Sequence, residues 1–154
     1  YIGGQYIKMN TLKIKKLSVT ATLPTRATFG SAGYDLYADI DSPITINPNE
    51  VIKIPTGIAI EIESSDFAAF IYARSGLSSK NLIAPVNCVG VIDSDYRGEI
   101  CVPLINHGNT PYTFHKNDRI AQLVLTKVFT PEIEQVEVLS DTSRGENGFG
   151  ASGK

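Results

Sequence analysis

The sequence predicts an all-β domain, a barrel or sandwich of short strands with one short helix and a Gly-rich C-terminal arm. Three observations carry that prediction. Short Ile- and Val-rich runs recur along most of the chain, and Gly, Pro, Asn and Asp separate them at the spacing of a sandwich or barrel. Only one stretch, Gly76–Asn81, suits a helix, of a turn or two.

Taken in order, the strand-like runs are Leu12–Lys16, Val51–Ile54, Ile58–Ile62, Phe67–Tyr72, Ile100–Ile105, Ile120–Val128 and Val136–Leu139. Ile58–Ile62 alternates only in part, which suits a strand covered on both faces. Between Asn87 and Gly98 a strand enters, turns around Ser94-Asp95 and leaves through Ile100–Ile105, the pattern of a β-hairpin. No internal repeat or low-complexity linker interrupts the chain. Past Val138 the apolar pattern stops, and SDTSRGENGFGASGK follows with four glycines and one aromatic. Such a stretch buries too little apolar surface to order itself, so a frayed terminus is one reading. The other rests on Phe149, flanked by glycines. An aromatic on a flexible arm can close over something flat, while glycine lets backbone amides approach a phosphate. The chain therefore divides into an N-terminal extension (1–10, with Met9 a candidate native start), a β domain (11–139) and a C-terminal arm (140–154).

Length and composition narrow the function. A chain of 154 residues is one domain, able to bury about two-thirds of its unfolded surface. Fourteen Lys+Arg stand against 16 Asp+Glu, which leaves no basic footprint for a nucleic-acid groove. Any bound anion must be held by a local cluster of groups. No apolar run approaches the ~20 residues of a membrane span, and no signal-peptide core is present, so a membrane partner is not expected. Cys88 and Cys101 lack metal-ligand spacing, which points to a reduced protein, cytoplasmic or otherwise intracellular.

Two segments carry chemistry. Ala73-Arg74-Ser75-Gly76-Leu77 runs from a strand into a helix start, where free backbone N–H groups beside an Arg and a hydroxyl make a phosphate cradle. A surface Arg before a capping Ser is the plainer alternative. In Gly90-Val91-Ile92-Asp93-Ser94-Asp95-Tyr96-Arg97-Gly98, Asp93 follows two apolar residues and is expected close to the core, where a carboxylate needs a reason to be. Either aspartate could instead serve the turn, and Asp95 is read that way. His107 and His115 fall in loop-like stretches and read as ordinary surface histidines.

Five ordered segments spanning residues 24 to 153 resemble the homotrimeric dUTP pyrophosphatases. They are Pro24 to Leu36 with Gly30-Ser31-Ala32-Gly33-Tyr34-Asp35; Arg74-Ser75-Gly76-Leu77; Gly90 to Gly98 preceded by Asn87; Asp118-Arg119-Ile120-Ala121-Gln122-Leu123; and Arg144 to Gly153. The resemblance implies a jelly roll and a homotrimer with active sites shared between subunits. It implies a dUTP diphosphatase that hydrolyses dUTP to dUMP and pyrophosphate by Mg²⁺-assisted in-line attack of water on the α-phosphorus. The product dUMP would supply thymidylate synthesis.

Residue by residue, the resemblance makes Asp93 the base that deprotonates the water. Asn87 and the main chain of Gly90, Val91 and Ile92 would read uracil, and Tyr96 would pack under the deoxyribose and exclude a 2′-hydroxyl. Arg74, Ser75, Gly76 and Gln122 match phosphate-contacting positions. Arg144 matches the arm's γ-phosphate arginine, and Phe149 the aromatic that stacks on uracil, with Gly150 and Ser152 in the closing segment. Asp35 would hold a metal-bound water, in keeping with how reluctantly Mg²⁺ sheds its hydration. The arm departs from the family pattern at Asn147, in place of a glycine, and at Ala151, which removes a hydroxyl. A related fold, dCTP deaminase, needs a glutamate where Pro103 stands, and proline cannot do acid–base work.

Overall fold

The computed structural model describes residues 11–147 and is built almost wholly of strands. In chain order these are β1 (Lys13–Lys16), β2 (Tyr34–Tyr37), β3 (Ile44–Ile46), β4 (Val51–Pro55), β5 (Ile58–Glu61) and β6 (Phe67–Tyr72). The helix α1 (Ser75–Asn81) follows, then β7 (Ile83–Pro85), β8 (Gly90–Ile92), β9 (Cys101–Asn106), β10 (Tyr112–Phe114) and β11 (Arg119–Lys127). The fold is all-β, as the sequence predicts, and jelly-roll-like, as the resemblance implies, with α1 the only helix among the described residues.

Pairing is mostly between strands far apart in sequence. One sheet runs β2-β11-β6-β8, another β4-β9-β7, and two pairs, β1-β5 and β10-β3, complete the body. All pairs are antiparallel. Side-chain alternation shows why β9 lies where it does: Val102, Leu104 and Asn106 point inward and are buried, while Cys101, Pro103 and Ile105 are half-covered. Pro103 is tolerated on a central strand because β7 ends at Pro85, so the side where its N–H is missing faces only the strand's end. β5 is buried at Ile58, Ala59 and Ile60, matching the expectation of cover on both faces.

Every sheet contributes to a single core. Leu36, Ile71 and Leu123 meet Ile54, Leu104 and Ile83, with Ile46 and Phe114 at one end. Buried Asn106 is fully served there: its Nδ2 donates to the carbonyls of Ile46 (3.2 Å) and Thr110 (2.8 Å), and its Oδ1 accepts from Gly108 N–H (2.8 Å). Phe114 is 0% exposed. Phe114→Ala is expected to destabilise the protein by about 3–5 kcal/mol, read as a lowered denaturation midpoint with an unchanged slope.

Three expectations need correction. Asn87–Gly98 does not form a hairpin with Ile100–Ile105: β8 pairs with β6, and β9 pairs with β4 and β7, so the chain turns a corner between two sheets. Asp93 lies on that corner, exposed and not near the core. Val136–Leu139 is not a strand. Among the described residues the last strand ends at Lys127, and 129–139 are irregular and open to solvent, with Ile133 100% exposed. An apolar run makes a strand only where a sheet edge accepts it, and among the described residues no sheet pairs with this run.

Candidate active site

β2, β11 and β6 lie side by side, and their register brings Asp35, Gln122 and Tyr72 into one row across the sheet. Two residues past the end of β6, Arg74 is the extended N-cap of α1, and no side chain caps the helix. The first-turn N–H groups of α1 therefore have no intrahelical acceptor. Among the described residues, nothing beyond its chain neighbours and its own helix backbone lies within 4 Å of where a Gly76 Cβ would stand, so packing within the chain does not require that glycine. Open space beside unpartnered amides is what a close-approaching anion needs. The helix ends at Leu82, whose left-handed backbone (φ 55°) returns its N–H to Ser78.

A cleft of about 300 Å³ opens over this row, lined by Ser31, Gly33, Asp35, Arg74, Ser75 and Gln122. The Asp35 carboxylate, 13% exposed, anchors two guanidiniums: Arg74 Nε donates to Oδ1 at 2.7 Å, and Arg119 Nη1 to Oδ2 at 3.3 Å. Arg74 Nη1 also reaches the Arg119 carbonyl at 3.4 Å. Gln122 Nε2 donates to the Ala73 carbonyl at 2.9 Å, and its side chain lies over Gly33, where a Cβ would stand 3.2 Å from the Gln122 Cβ. The arrangement brings an arginine, a hydroxyl, an amide and a helix start to one cleft. On the far side of Arg74 a second cleft holds Lys80, Tyr112, Asp118 and Arg119. Burial, and then the Asp118 charge, push the Tyr112 phenol up, so it stays neutral there.

Asp35→Ala is expected to free both guanidiniums and raise KM for an anionic substrate by roughly tenfold, about 1.4 kcal/mol of lost positioning. The measurement is KM at constant ionic strength. An unchanged KM would mean that the ion pairs do not organise the cleft.

The second group of predicted residues lies elsewhere. Val91, Ile92, Asp93 and Tyr96 line a separate cavity of about 310 Å³ together with Lys53 and Glu99. β8 is an edge strand of its sheet, so its outward backbone groups are open to a ligand. Asn87 is exposed, and its Nδ2 lies 3.6 Å from the position of a Gly90 Cβ. Cys101 borders the cavity; burial, then the Glu99 charge, raise its thiol, so it is not a ready nucleophile.

The two groups are far apart within one chain. In the β6–β8 register, Ala69 faces Ile92, so Asp93 sits near Ala68, about six residues from Arg74. At the rise of an extended strand that separation is roughly 20 Å. Arg144 lines neither cavity; it is exposed, and its Nε donates to the Asn147 carbonyl at 2.8 Å. Phe149, Gly150 and Ser152 lie outside the described residues.

Sequence reasoning left three neighbours unassigned. Arg119 belongs to the segment around Gln122, but only tertiary structure shows that it shares Asp35 with Arg74. Lys53 stands in no recognisable pattern. Gly33 was legible only as part of a string, not as the floor beneath Gln122.

This is an all-β, jelly-roll-like protein with a polar cleft beside a helix start and an acidic corner after an edge strand. The dUTPase family model matches residues 20–153. A deoxyuridine 5′-triphosphate nucleotidohydrolase from Desulfitobacterium hafniense (strain DSM 10664 / DCB-2) is 48% identical over 149 residues, covering 94% of this chain and 99% of the relative. One from Haemophilus ducreyi is 50% identical over 132 residues, 86% of this chain and 87% of the relative. Among solved structures, a mutant dUTPase of Staphylococcus bacteriophage 80alpha with dUpNHpp aligns at a TM-score of 0.86 and 31% identity, covering 94% of this chain and 99% of that one. The chain belongs to the dUTPase family.

Proposed function

We propose that this chain hydrolyses dUTP to dUMP and pyrophosphate at sites assembled between copies of a homotrimer. The observation that carries the reading is the separation of Asp93 from the Arg74-Ser75-Gln122 cleft within one subunit. The α-phosphorus and its neighbouring phosphates lie much closer together than these two clusters do. Placing the Asp93 corner of one copy against the phosphate cleft of another joins them. The irregular segment after Lys127 supports the same reading, because Phe129, Ile133, Val138 and Leu139 are exposed and need a partner to cover them. A closed symmetric oligomer provides that cover without leaving open surfaces.

In the assembled site, Asn87 and the outward backbone of Gly90, Val91 and Ile92 read the uracil edge, and Tyr96 underlies the deoxyribose. Asp93 takes the proton from a water aligned with the α-phosphorus, and pyrophosphate leaves toward Arg74, Ser75, Gly76 and Gln122. No covalent intermediate is needed. Arg144 grips the γ-phosphate and Phe149 covers the uracil when the arm, with Gly150 and Ser152, closes; closure excludes other water.

Mg²⁺ fits as an ion carried in on the triphosphate. Among the described residues no group of three or more His, Cys, Asp or Glu could hold a metal. Asp35 uses one lone pair on each oxygen for its two arginines and keeps others to accept from a metal-bound water. A Mg²⁺ bound there would neutralise phosphate charge. A relative also binds this ion: a mutant dUTPase from phage phi11 of S. aureus coordinates a structural Mg(II) ion.

The test is pyrophosphate release from dUTP, dTTP, UTP and dCTP with Mg²⁺. Turnover of dUTP alone is expected. Ammonia released from dCTP would establish deamination in its place.

A further inference from the structure

We infer that Gly98 is a specificity-determining residue: its missing side chain is what lets the Tyr96 ring lie flat, and the ring's height sets discrimination against a 2′-hydroxyl. The inference rests on the proposed role of Tyr96 and extends it to a residue that touches no substrate.

The corner after β8 is tied by four hydrogen bonds. Tyr96 N–H donates to the Asp93 carbonyl at 3.2 Å, and the Arg97 guanidinium turns back to the carbonyls of Ser94 (2.7 Å) and Tyr96 (2.9 Å). The Tyr96 hydroxyl donates to the Glu99 carbonyl at 3.0 Å, folding the ring down over Gly98. The base of the corner is fixed in turn, because the Glu99 carboxylate accepts from Gly57 N–H at 2.8 Å. The ring is thus held at its tip by one bond while its outer side, with the residue 43% exposed, faces the Asp93 cavity.

Gly98 has no conformational reason to be glycine. Its φ lies outside the left-handed region, which among the described glycines only Gly57 and Gly145 occupy. Space is the reason. A Cβ at Gly98 would stand 2.6 Å from Tyr96 Cζ and 3.0 Å from Cε2, and would overlap the hydroxyl outright. The backbone below is pinned through Glu99, so the ring must give way. Its half-exposed tip is free to move, and moving it off the corner loses the hydrogen bond to Glu99 and with it the fixed floor beneath the sugar.

Gly98→Ala is therefore expected to lower the ratio of kcat/KM for dUTP over UTP by about tenfold or more, leaving the ratio for dUTP over dTTP unchanged. A merely structural role would lower turnover of every nucleotide in parallel and move neither ratio. Tyr96→Phe keeps the fold and the ring but removes the hydroxyl; it should shift the dUTP/UTP ratio in the same direction by less. The decisive comparison is a double-mutant cycle. In a Tyr96→Ala background, adding Gly98→Ala should change the dUTP/UTP ratio no further. A Gly98→Ala protein with wild-type dUTP/UTP selectivity would overturn the assignment while leaving the proposed activity intact. So would an undiminished effect of Gly98→Ala without the Tyr96 ring. A wild-type chain that turns over none of these nucleotides would overturn the proposed activity and this inference with it.

Discussion

Asp93→Asn is expected to reduce kcat for dUTP hydrolysis by about 10²–10⁴-fold with little change in KM or stability. The replacement keeps the size and shape of the side chain and removes only its ability to accept the proton of the attacking water. Stability should hold to within about 0.5 kcal/mol, because Asp93 is exposed and its carboxylate makes no hydrogen bond or ion pair among the described residues. Single-turnover measurements with thermal denaturation separate the two effects. A variant that keeps wild-type turnover would remove Asp93 from the chemistry. One that unfolds would show the corner to be structural.

Deleting Ser143 to Lys154 is the second large effect, expected to reduce turnover by about 100-fold or more while leaving the fold intact. Among the described residues no strand lies beyond Lys127, and the core draws no residue from that region. Residues 140–147 are exposed, and their internal bonds, Arg144 Nε to the Asn147 carbonyl and Gly145 N–H to Thr142, serve only the turn itself. What truncation removes is the Arg144 charge and the Phe149 cover. The expected signature is an unchanged denaturation midpoint beside a fallen kcat. Loss of cooperative unfolding would instead make the arm part of the body.

The long, apolar strands were legible because their pattern is local. β5 and β6 fall within runs that the sequence predicts, β9 and β11 match theirs to within one residue at each end, and α1 begins one residue earlier than expected. The strands β2, β3, β7 and β10 were not: each is three or four residues long and lies outside every predicted run, and its pairing is set by distant segments. Ile46, for instance, is opposite Tyr112. The hairpin expectation failed for a related reason: adjacency in sequence suggested that β8 and β9 pair, whereas each pairs within a different sheet. Val136–Leu139 has the composition of a strand without a partner in its own chain. The site followed the same division. Its residue types were legible as strings, but the Asp35 link between Arg74 and Arg119, the floor that Gly33 makes for Gln122, and the distance between the two clusters arise only from the sheet register.

That distance makes the central claim directly measurable by subunit mixing. Arg74→Ala removes the phosphate grip and Asp93→Asn removes the base, so each variant alone should be nearly inactive against dUTP. When the two are co-refolded in equal amounts and mixed oligomers are verified by mass, sites that combine an intact Asp93 corner from one copy with an intact Arg74 cleft from another should form. Random assembly of a symmetric trimer predicts recovery of about one quarter of wild-type activity. Verified mixed trimers with no more activity than the separate variants would contradict a site shared between subunits.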